Sequence, residues 1–406
     1  MMKTEIQNVA LVYLPQGQQD ELRELYGLVE TAMGKVTLTV SQNRTTPDPK
    51  TLIGSGKTEE LRLAIENCAE KPQTVLFSRP LDAIQRRNLQ EALGLTVIDN
   101  IDLILDIFAL RATTAEGKKQ VELAQLTYKL ATRSDKDFSR QGAGIGTRGP
   151  GETQLETDKR IAREKIYRLR RELKEIAAQR DITRKKRRDN QAFTVALAGY
   201  TNAGKSTLFN ALTGADVYKD DRLFATLDTT VRKFNAEEFP VLQCDTVGFI
   251  RNLPTMLVDA FKSTLEEVTD ADLVLNVCDA SDPDVEQHIS VTLDVLQQLG
   301  VTAPVLTVYN KCDKCKSLPQ STSDCIYVSA TENKNLDALK EAIAKAARKQ
   351  YAAVTLTVPL SECGKLLSLL NGCAVSVNAH YDDTHAEIRA TVRRKYLSLF
   401  ARYLSV

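Results

Sequence analysis

The first hundred residues alternate short apolar runs with segments of helical spacing. The runs predict buried strands, and apolar positions three or four residues apart predict helices. The predicted elements are the strands Val9–Leu14, Val36–Val40, Val75–Phe77 and Thr96–Ile98 and the helices Leu22–Met33, Glu59–Glu66 and Gln85–Leu93. Such alternation is typical of an α/β layer domain. Residues 1–100 are therefore predicted to form a small α/β subdomain.

Residues 101–191 have a mainly helical pattern, interrupted by the polar, glycine-containing stretch Ser139–Gly151. Apolar positions beyond this stretch are four or three residues apart, the spacing of a coiled-coil seam. The seam positions are Ala162, Ile166, Leu169, Leu173 and Ile176. Two helices that share an apolar seam and are joined by a polar loop predict an antiparallel helical hairpin.

Residues 192–350 contain six apolar runs with helical segments between several of them. The runs lie near 193–198, 231–235, 241–244, 273–278, 304–309 and 326–328. This pattern predicts a doubly wound parallel sheet.

Residues 351–406 are predicted to form a small α+β domain, which shows no recognisable chemistry. Its predicted elements are the strands Val354–Val358, Ala374–Asn378 and Glu387–Thr391 and the helices Ser361–Leu370 and Arg394–Tyr403.

A phosphate-binding loop is predicted between the first strand of this sheet and the helix after it. The segment has the pattern GxxxxGKS, with glycines that let backbone N–H groups turn inward toward phosphate oxygens. Lys205 is predicted to reach the β- and γ-phosphates, and Ser206 to bind Mg²⁺. The predicted contacts are Gly199, Tyr200, Thr201, Asn202, Ala203, Gly204, Lys205, Ser206 and Thr207.

The base-binding motif Asn310-Lys-Cys-Asp313 follows an apolar strand, and Ser329-Ala330 follows the next one. Asp313 can accept two hydrogen bonds from the N1–H and N2–H₂ edge of guanine, which adenine does not offer. Lys311 can lie along the base, and Ser329-Ala330 matches a backbone contact to the guanine oxygen. The pocket is therefore predicted to select GTP and GDP.

Two switch segments are predicted between these motifs. In Asp245-Thr-Val-Gly248, Asp245 is expected to hold Mg²⁺ through water, and the Gly248 N–H to sense the γ-phosphate. The stretch Phe224-Ala225-Thr226-Leu-Asp-Thr-Thr230 is the predicted first switch, and Thr226 is the expected second Mg²⁺ hydroxyl. Thr229 and Thr230 are alternatives. Lys205, Thr226 and Gly248 are thus the predicted catalytic residues, and Ser206, Thr226 and Asp245 the predicted metal ligands.

The residues after Gly248 are Phe249 and Ile250, and neither side chain can polarise water. Intrinsic hydrolysis is therefore expected to be slow and to depend on a partner that orders the switches. Asn202 is a candidate ligand for K⁺.

Charge is distributed unevenly along the chain. The whole sequence has a net charge of +1, but Lys159–Arg188 contains 14 Lys or Arg and 4 Asp or Glu. This excess suits a phosphate backbone better than an ordinary solvated helix face. Arg140, Gln141 and Arg148 lie in the polar loop of the hairpin, which favours RNA contact by the loop over a passive linker.

Composition limits the remaining possibilities. No stretch is long and apolar enough to span a membrane, and eight scattered cysteines without a secretory signal predict reduced thiols in the cytoplasm. Cys312-x-x-Cys315 lacks the further ligands of a zinc site.

Gly54–Thr58 looks like the end of a second phosphate loop. A helix capped by Thr58 is favoured there, with a second nucleotide or RNA-phosphate contact as the alternative.

Long motifs identify a family, because GTPases in general do not share them. They are Leu103–Phe108, Glu116–Lys118, Gln120–Leu126, Ile145–Thr157, Phe224–Asp228 and Asp245–Pro254. Across nearly its whole length the chain closely resembles the HflX GTPases. The resemblance implies a cytoplasmic protein, expected here to be a monomer, that binds the large ribosomal subunit and its rRNA and splits or rescues stalled ribosomes. It also implies that some members hydrolyse ATP through the N-terminal domain. The alternatives are a GTP-gated RNA-binding or assembly factor, and an ATP-driven RNA remodeller.

Overall fold

A computed structural model describes residues 7–15, 20–43, 46–132, 154–189, 192–214, 223–224, 230–246, 248–250, 262–315 and 325–403. The strands are β1 (Gln7–Tyr13), β2 (Gly34–Ser41), β3 (Thr74–Phe77), β4 (Thr96–Asp99), β5 (Phe193–Ala198), β6 (Thr230–Ala236), β7 (Phe239–Asp245), β8 (Leu273–Asp279), β9 (Val305–Asn310), β10 (Cys325–Tyr327), β11 (Tyr351–Pro359), β12 (Ala374–Tyr381) and β13 (His385–Arg393). The α-helices are α1 (Asp20–Thr31), α2 (Ser55–Asn67), α3 (Ala83–Leu93), α4 (Asn100–Arg111), α5 (Ala115–Thr132), α6 (Gln154–Asp189), α7 (Lys205–Thr213), α8 (Lys262–Thr269), α9 (Val285–Gln298), α10 (Leu336–Arg348) and α11 (Leu360–Cys373). Short 3₁₀ helices span Cys312–Lys314 and Arg394–Tyr403.

The chain divides into two compact units. The first unit contains Met1–Ile176, Arg222–Leu227 and Asn252–Lys262, and the second unit contains the remainder. Among the described residues, no helix is both long and apolar enough to cross a membrane.

The first unit is built on a parallel four-stranded sheet in the order β2-β1-β3-β4. Helix α1 packs against α4, and α2 packs against α3. Strand β1 is buried from Val9 onward, and Val12, Phe77 and Leu89 belong to one apolar cluster. The predicted α/β layer arrangement is therefore confirmed.

A buried polar cluster joins the end of this sheet to three helices. Arg86 of α3 forms ion pairs with Asp99, at 2.8 Å, and with Asp102. Tyr128 of α5 donates a hydrogen bond to Asp99 Oδ2 at 2.6 Å. Asp99 also caps α4, since its side chain accepts from the N–H groups of Ile101 and Asp102. The cluster thus ties α5 to the sheet.

Helices α5 and α6 form the predicted antiparallel hairpin. Lys119 of α5 pairs with Glu172 of α6 at 3.0 Å, and Glu122 of α5 pairs with Lys165 of α6. The later residue of α5 thus contacts the earlier residue of α6, as in an antiparallel pair. Among the seam positions, Ala162, Ile166 and Leu169 are buried, whereas Leu173 and Ile176 are partly exposed. The loop stretch Ser139–Gly151 lies outside the described residues.

The second unit is built on a six-stranded sheet in the order β10-β9-β8-β5-β7-β6. Five strands are parallel, and the edge strand β6 runs antiparallel to β7. The prediction of a parallel sheet therefore fails at this edge, where a tight turn through Glu237 and Glu238 makes a hairpin. Parallel strands end at the same side, so the ends of β5, β7, β8 and β9 converge on one edge.

The C-terminal part of the second unit has an antiparallel sheet in the order β11-β13-β12, with α11 packed on it. The predicted last helix, Arg394–Tyr403, is 3₁₀ rather than α. Arg393 donates to the Ala192 carbonyl at 3.0 Å and pairs with Asp272. These bonds anchor the C-terminal sheet beside β5.

One predicted helix start is wrong. Helix α2 begins at Ser55 with Gly54 as N-cap, and Thr58 lies inside the helix, where its N–H donates to the Gly54 carbonyl at 2.9 Å. Gly54 has a φ of −66° and no side chain that could cap the helix. The sequence therefore contains no capping side chain that would mark this helix start. Lys57 pairs with Glu60 at 2.8 Å. Residues 55–58 form the first turn of α2, and a second nucleotide or RNA-phosphate contact there stays a prediction.

Candidate nucleotide-binding site

The loop between β5 and α7 has the backbone shape that its glycines predict. Gly204 has a φ of +88°, a left-handed conformation that side chains disfavour. A Cβ placed there would lie 2.2 Å from Asn310 Nδ2. Helix α7 begins at the next residue, Lys205, so its free N–H groups face the loop. The loop and helix start together present backbone N–H groups in the arrangement that a phosphate-binding site requires.

Lys205 is held inside this loop by the backbone. Its Nζ donates to the carbonyls of Gly199, at 3.0 Å, and Tyr200, at 2.8 Å. Burial lowers the pKa of Lys205 to about 8, while the negative charge of Asp245 acts in the opposite direction. A phosphate at this loop would stabilise the charged lysine, because opposite charges raise the pKa of an amine.

Two predicted metal ligands are in contact. Ser206 Oγ, in the first turn of α7, donates to Asp245 Oδ2, at the end of β7, at 2.8 Å. Asp245 is fully buried. The pair presents adjacent oxygen atoms beside the phosphate loop, and oxygen is the donor that Mg²⁺ prefers.

The base-binding motif lies against the opposite end of the loop. Asn310 Nδ2 donates to the Ala203 carbonyl at 3.0 Å, and its Oδ1 accepts from the Ala330 N–H at 3.1 Å. Lys311 Nζ donates to the Asn202 carbonyl at 2.7 Å. These bonds fix the phosphate loop, the base-binding motif and the Ser329-Ala330 segment in one framework.

Asp313, the predicted guanine-binding residue, lies in the 3₁₀ helix that follows Lys311 and is exposed. Lys311 has a φ of +60° and pairs with Asp279 at 2.8 Å. The left-handed turn directs the chain away from β9, and the ion pair holds Lys311 in place. The carboxylate of Asp313 is thereby left open to solvent, as a base-binding group must be.

The second switch segment is hydrogen-bonded to the phosphate loop. The Thr201 N–H donates to the Phe249 carbonyl at 2.8 Å, and the Phe249 N–H donates to the Gly199 carbonyl at 3.1 Å. Phe249 and Ile250 are both buried. Gly248 therefore lies directly beside the phosphate loop.

The first switch segment is described only in part. Ala225, Thr226 and Thr229 lie outside the described residues, and Thr230 begins β6. Phe224 is buried in the first unit, where its ring contacts that of Phe108 at a centroid distance of 4.7 Å. Thr207 lies in α7. The nucleotide contacts of these residues remain predictions.

The neighbouring residue Leu223, which also belongs to the first unit, contacts α1. Its N–H donates to Thr31 Oγ1 of α1 at 3.2 Å. A Cβ placed on Gly27 would lie 3.3 Å from Leu223 Cδ1, so α1 approaches this segment closely. Phe224 adopts a φ of +54°, which is uncommon for a bulky residue. This strained backbone is held in place by the contacts of Leu223 with α1 and of Phe224 with Phe108 of α4.

Two contacts of the site were not anticipated from the sequence. Asp279 pairs with Lys311. Its position at the end of β8 could have predicted a place in the site, because the strand ends line this edge of the sheet. Tyr200 stacks on His288 of α9 with ring centroids 3.9 Å apart and an interplanar angle of 12°. No spacing in the sequence links those two residues.

Known proteins match nearly the whole chain. The matching family profiles are GTP-binding GTPase N-terminal over residues 19–109, GTP-binding GTPase Middle Region over residues 111–187, and 50S ribosome-binding GTPase over residues 194–311. A protein named GTPase HflX from Alkalihalophilus pseudofirmus is 47% identical over 353 residues, covering 84% of this chain and 83% of that protein. GTPase HflX from Escherichia coli K12 is 41% identical, covering 88% and 86%. The crystal structure of a GTP-binding protein from Sulfolobus solfataricus with GDP is 26% identical, covers 85% of this chain and 99% of that chain, and has a TM-score of 0.46.

Proposed function

The chain belongs to the HflX family of GTPases, and from this premise we propose that it binds the large ribosomal subunit and splits or rescues stalled ribosomes. Guanine-nucleotide binding and GTP hydrolysis follow from the family and from the site above. The profile of its nucleotide domain is described as a 50S ribosome-binding GTPase. In the proposed cycle, GTP favours the ribosome-bound form and hydrolysis, stimulated by the ribosome, releases it.

The observation that carries this proposal is a positively charged flank of α6. Arg163, Tyr167, Arg170 and Lys174 are four, three and four residues apart, so they share one stripe of the helix. All four are exposed, and Tyr167 is 72% exposed. Among the described residues, none of the three cations has an ion-pair partner.

The other flank of α6 is neutralised by acidic residues. Its arginines pair along the helix with glutamates, and Lys165 pairs across the hairpin. The pairs along the helix are Arg160–Glu164 at 2.9 Å, Arg168–Glu172 at 3.5 Å and Arg171–Glu175 at 3.9 Å. Between Arg160 and Glu175, where the side chains of α6 are described, the arginines of this flank are thus paired, whereas the cations of the other flank are not.

We call Arg163, Tyr167, Arg170 and Lys174 the basic flank. Its chemistry matches RNA. Cations along a helix contact successive phosphates, and an exposed tyrosine ring stacks on an unpaired base. Such a surface reads shape and charge more than sequence, which suits a structured ribosomal RNA.

A matched pair of triple variants tests the RNA surface. Replacing Arg163, Arg170 and Lys174 with Gln removes three phosphate contacts. It is expected to reduce the slope of log affinity for large subunits against log salt by roughly 2 to 3. Replacing Arg160, Arg168 and Arg171 with Gln removes the same charge from the ion-paired flank. This control is expected to change the slope by less than about 1. Equal changes in the two variants would refute the assignment.

Tyr167 provides an independent test of stacking. Tyr167→Ala is expected to weaken subunit binding by about 1–3 kcal/mol, the value of one base stacked on an aromatic ring, without changing the salt slope. Tyr167→Phe keeps the ring and should bind normally. Weakening by both variants would show that the hydroxyl, rather than stacking, is used.

We further propose that hydrolysis requires Mg²⁺. Ser206 and Asp245 would hold the ion, Asp245 through water, with Thr226 as the predicted second hydroxyl. The contact between Ser206 Oγ and Asp245 Oδ2 at 2.8 Å supports this, since both oxygens border the phosphate loop. Bound Mg²⁺ would offset the negative charge on the β- and γ-phosphates. Turnover that persists in EDTA would contradict the proposal.

A monovalent cation is a separate part of the proposal. Asn202 has a φ of +60°, and its carbonyl accepts a hydrogen bond from Lys311. Its side chain is exposed at the loop and is an oxygen donor suited to K⁺. Turnover is expected to be faster in K⁺ than in Na⁺, and equal rates would remove this role.

The action on ribosomes is tested by two measurements on one preparation. GTP turnover is measured with and without purified large subunits, and sedimentation profiles of intact ribosomes are recorded with GTP and with a non-hydrolysable analogue. Stimulated turnover together with separated subunits is the expected result. Nucleotide-dependent binding without stimulation or separation would favour the assembly-factor alternative.

We also propose that the chain acts as a monomer in the cytoplasm. Its eight cysteines are free thiols, which is typical of a reducing compartment. Light scattering of the purified protein should give the mass of one chain, and a dimer mass would contradict the expectation.

A further inference from the structure

Hydrolysis of GTP requires a group that orients the attacking water, and the second switch segment offers none at the usual place. The residue after Gly248 is Phe249, which has no polar side-chain atom and is 1% exposed. Its N–H and carbonyl are both used in hydrogen bonds to the phosphate loop. Ile250 is buried as well. A polar group for the water must therefore come from another part of the site.

Thr201, the third residue of the phosphate loop, has a hydroxyl without a partner. The residue is 6% exposed, and its Oγ1 is buried and makes no hydrogen bond to any residue that the structure describes. Buried hydroxyls are normally paired, because an unpaired one loses its bonds to water without replacement. A bound group that completes the site would give Oγ1 its missing partner.

The position of Thr201 places this hydroxyl next to the reacting phosphate. A Cβ placed on Gly248 would lie 2.8 Å from Thr201 Cγ2 and 3.0 Å from Lys205 Nζ. In P-loop GTPases the γ-phosphate is bound between this lysine and the glycine N–H. Cγ2 and Oγ1 are both bonded to the Cβ of Thr201, so one change of the χ1 rotamer can bring Oγ1 to the position that Cγ2 occupies. The hydroxyl is thus within reach of the space beside the γ-phosphate.

We propose that Thr201 is a catalytic residue whose hydroxyl takes the place of the missing polar side chain. Oγ1 donates to a γ-phosphate oxygen and accepts a hydrogen bond from the attacking water, since a hydroxyl can do both. The water oxygen forms a bond to the γ-phosphorus, and the bond from that phosphorus to the β–γ bridging oxygen breaks. GDP leaves, and the water proton passes to the released phosphate. Thr201 has no net gain or loss of a proton.

The test compares two substitutions that separate the hydroxyl from the shape of the side chain. Thr201→Val keeps the volume and branching without the hydroxyl, and Thr201→Ser keeps the hydroxyl without the methyl group. Single-turnover GTP hydrolysis is measured together with the affinities for GDP and for a non-hydrolysable GTP analogue. Thr201→Val is expected to lower the hydrolysis rate on the order of 10²-fold. GDP affinity should stay within about twofold, and Thr201→Ser should retain hydrolysis within about threefold of the native rate.

Stability distinguishes catalysis from a structural role. Because the hydroxyl has no partner in the described structure, Thr201→Val should melt at the native temperature or above it. Thr213→Val is the control. It removes a hydroxyl that is bonded to the Phe209 carbonyl in the same helix as Lys205, and it should not change hydrolysis. A hydrolysis rate in Thr201→Val within about threefold of native, or an equal loss in the Val and Ser variants, would overturn the proposal.

Discussion

The buried cluster around Arg86 allows a quantitative prediction for Arg86→Met. Arg86 is 1% exposed, and the carboxylates it pairs with, Asp99 and Asp102, are 0% and 8% exposed. Removing one partner of a buried ion pair leaves uncompensated charge in the interior, which costs about 3–5 kcal/mol. Asp99 retains its hydrogen bond from Tyr128, so the unfolded fraction rises without complete loss of the fold.

Arg62→Met is the matched control. Arg62 also contacts two carboxylates, those of Glu59 at 2.7 Å and Glu66, but its side chain is 38% exposed. Exposed ion pairs are worth about 0–1 kcal/mol. Both substitutions remove an arginine that contacts two carboxylates, so the difference between them reports the burial of Arg86 together with its hydrogen bond to the Val97 carbonyl.

Hydrogen exchange of the full chain provides the assay, because it measures local stability in each unit. The free energy of opening of amides in β3 and β4 should fall by about 3–5 kcal/mol in Arg86→Met and by at most about 1 kcal/mol in Arg62→Met. Amides of β8, in the second unit, are the internal reference. Basal GTP turnover should remain native. Equal losses in the two variants would refute the reasoning.

The pH dependence of the same variant has a definite sign. Burial raises the pKa of Asp99, the charge of Asp102 raises it further, and the Arg86 cation opposes both. Without Arg86 the folded-state pKa of Asp99 rises again. A raised carboxyl pKa means that the folded state binds more protons, so its stability is lost as the pH rises through that pKa. The deficit of Arg86→Met should therefore shrink as the pH falls toward about 4. A constant deficit would contradict this cause.

Four further predictions concern the nucleotide site and the hairpin loop. Lys205→Ala should abolish GTP turnover, and continued turnover would refute the site. Asp313→Asn should shift preference from guanine to xanthine nucleotides in competition binding, by several kcal/mol; an unchanged preference would refute the pocket. Gly248→Ala places a methyl group 2.8 Å from Thr201 Cγ2, so GTP turnover should fall while GDP still binds, and native turnover would show that the switch can move aside. Deleting Ser139–Pro150 should spare basal turnover and remove ribosome stimulation; equal stimulation would exclude the loop as the sensor.

The convergence of the residues predicted for the nucleotide site could be anticipated from local sequence. Gly199, Asp245 and Asn310 each lie at or directly after the carboxyl end of a parallel strand, and those ends meet at one edge. The hairpin was predictable for a similar reason. Residues spaced by three and four positions must share a helix face, and Ala162, Ile166 and Leu169 are buried together.

Other features depend on long-range contacts that no local pattern encodes. Arg86, Asp99 and Tyr128 come from two helices and a strand end, and each alone looks like a surface residue until the fold buries it. The prediction that Thr58 caps α2 is wrong because the N-cap is Gly54, which has no side chain to make a capping hydrogen bond. The close approach of Gly248 to Thr201 and the lack of a partner for the Thr201 hydroxyl among the described residues are both set by tertiary packing.

The burial of Phe224 against Phe108 has a practical consequence for experiments that divide the protein. A fragment that starts at Ala192 keeps every motif of the nucleotide site but lacks Phe108 and the α1 residue Thr31, which binds the Leu223 N–H. Such a fragment would expose an aromatic ring and release a strained backbone from its support. Kinetic constants for the nucleotide site are therefore best measured on a chain that includes α1 and α4.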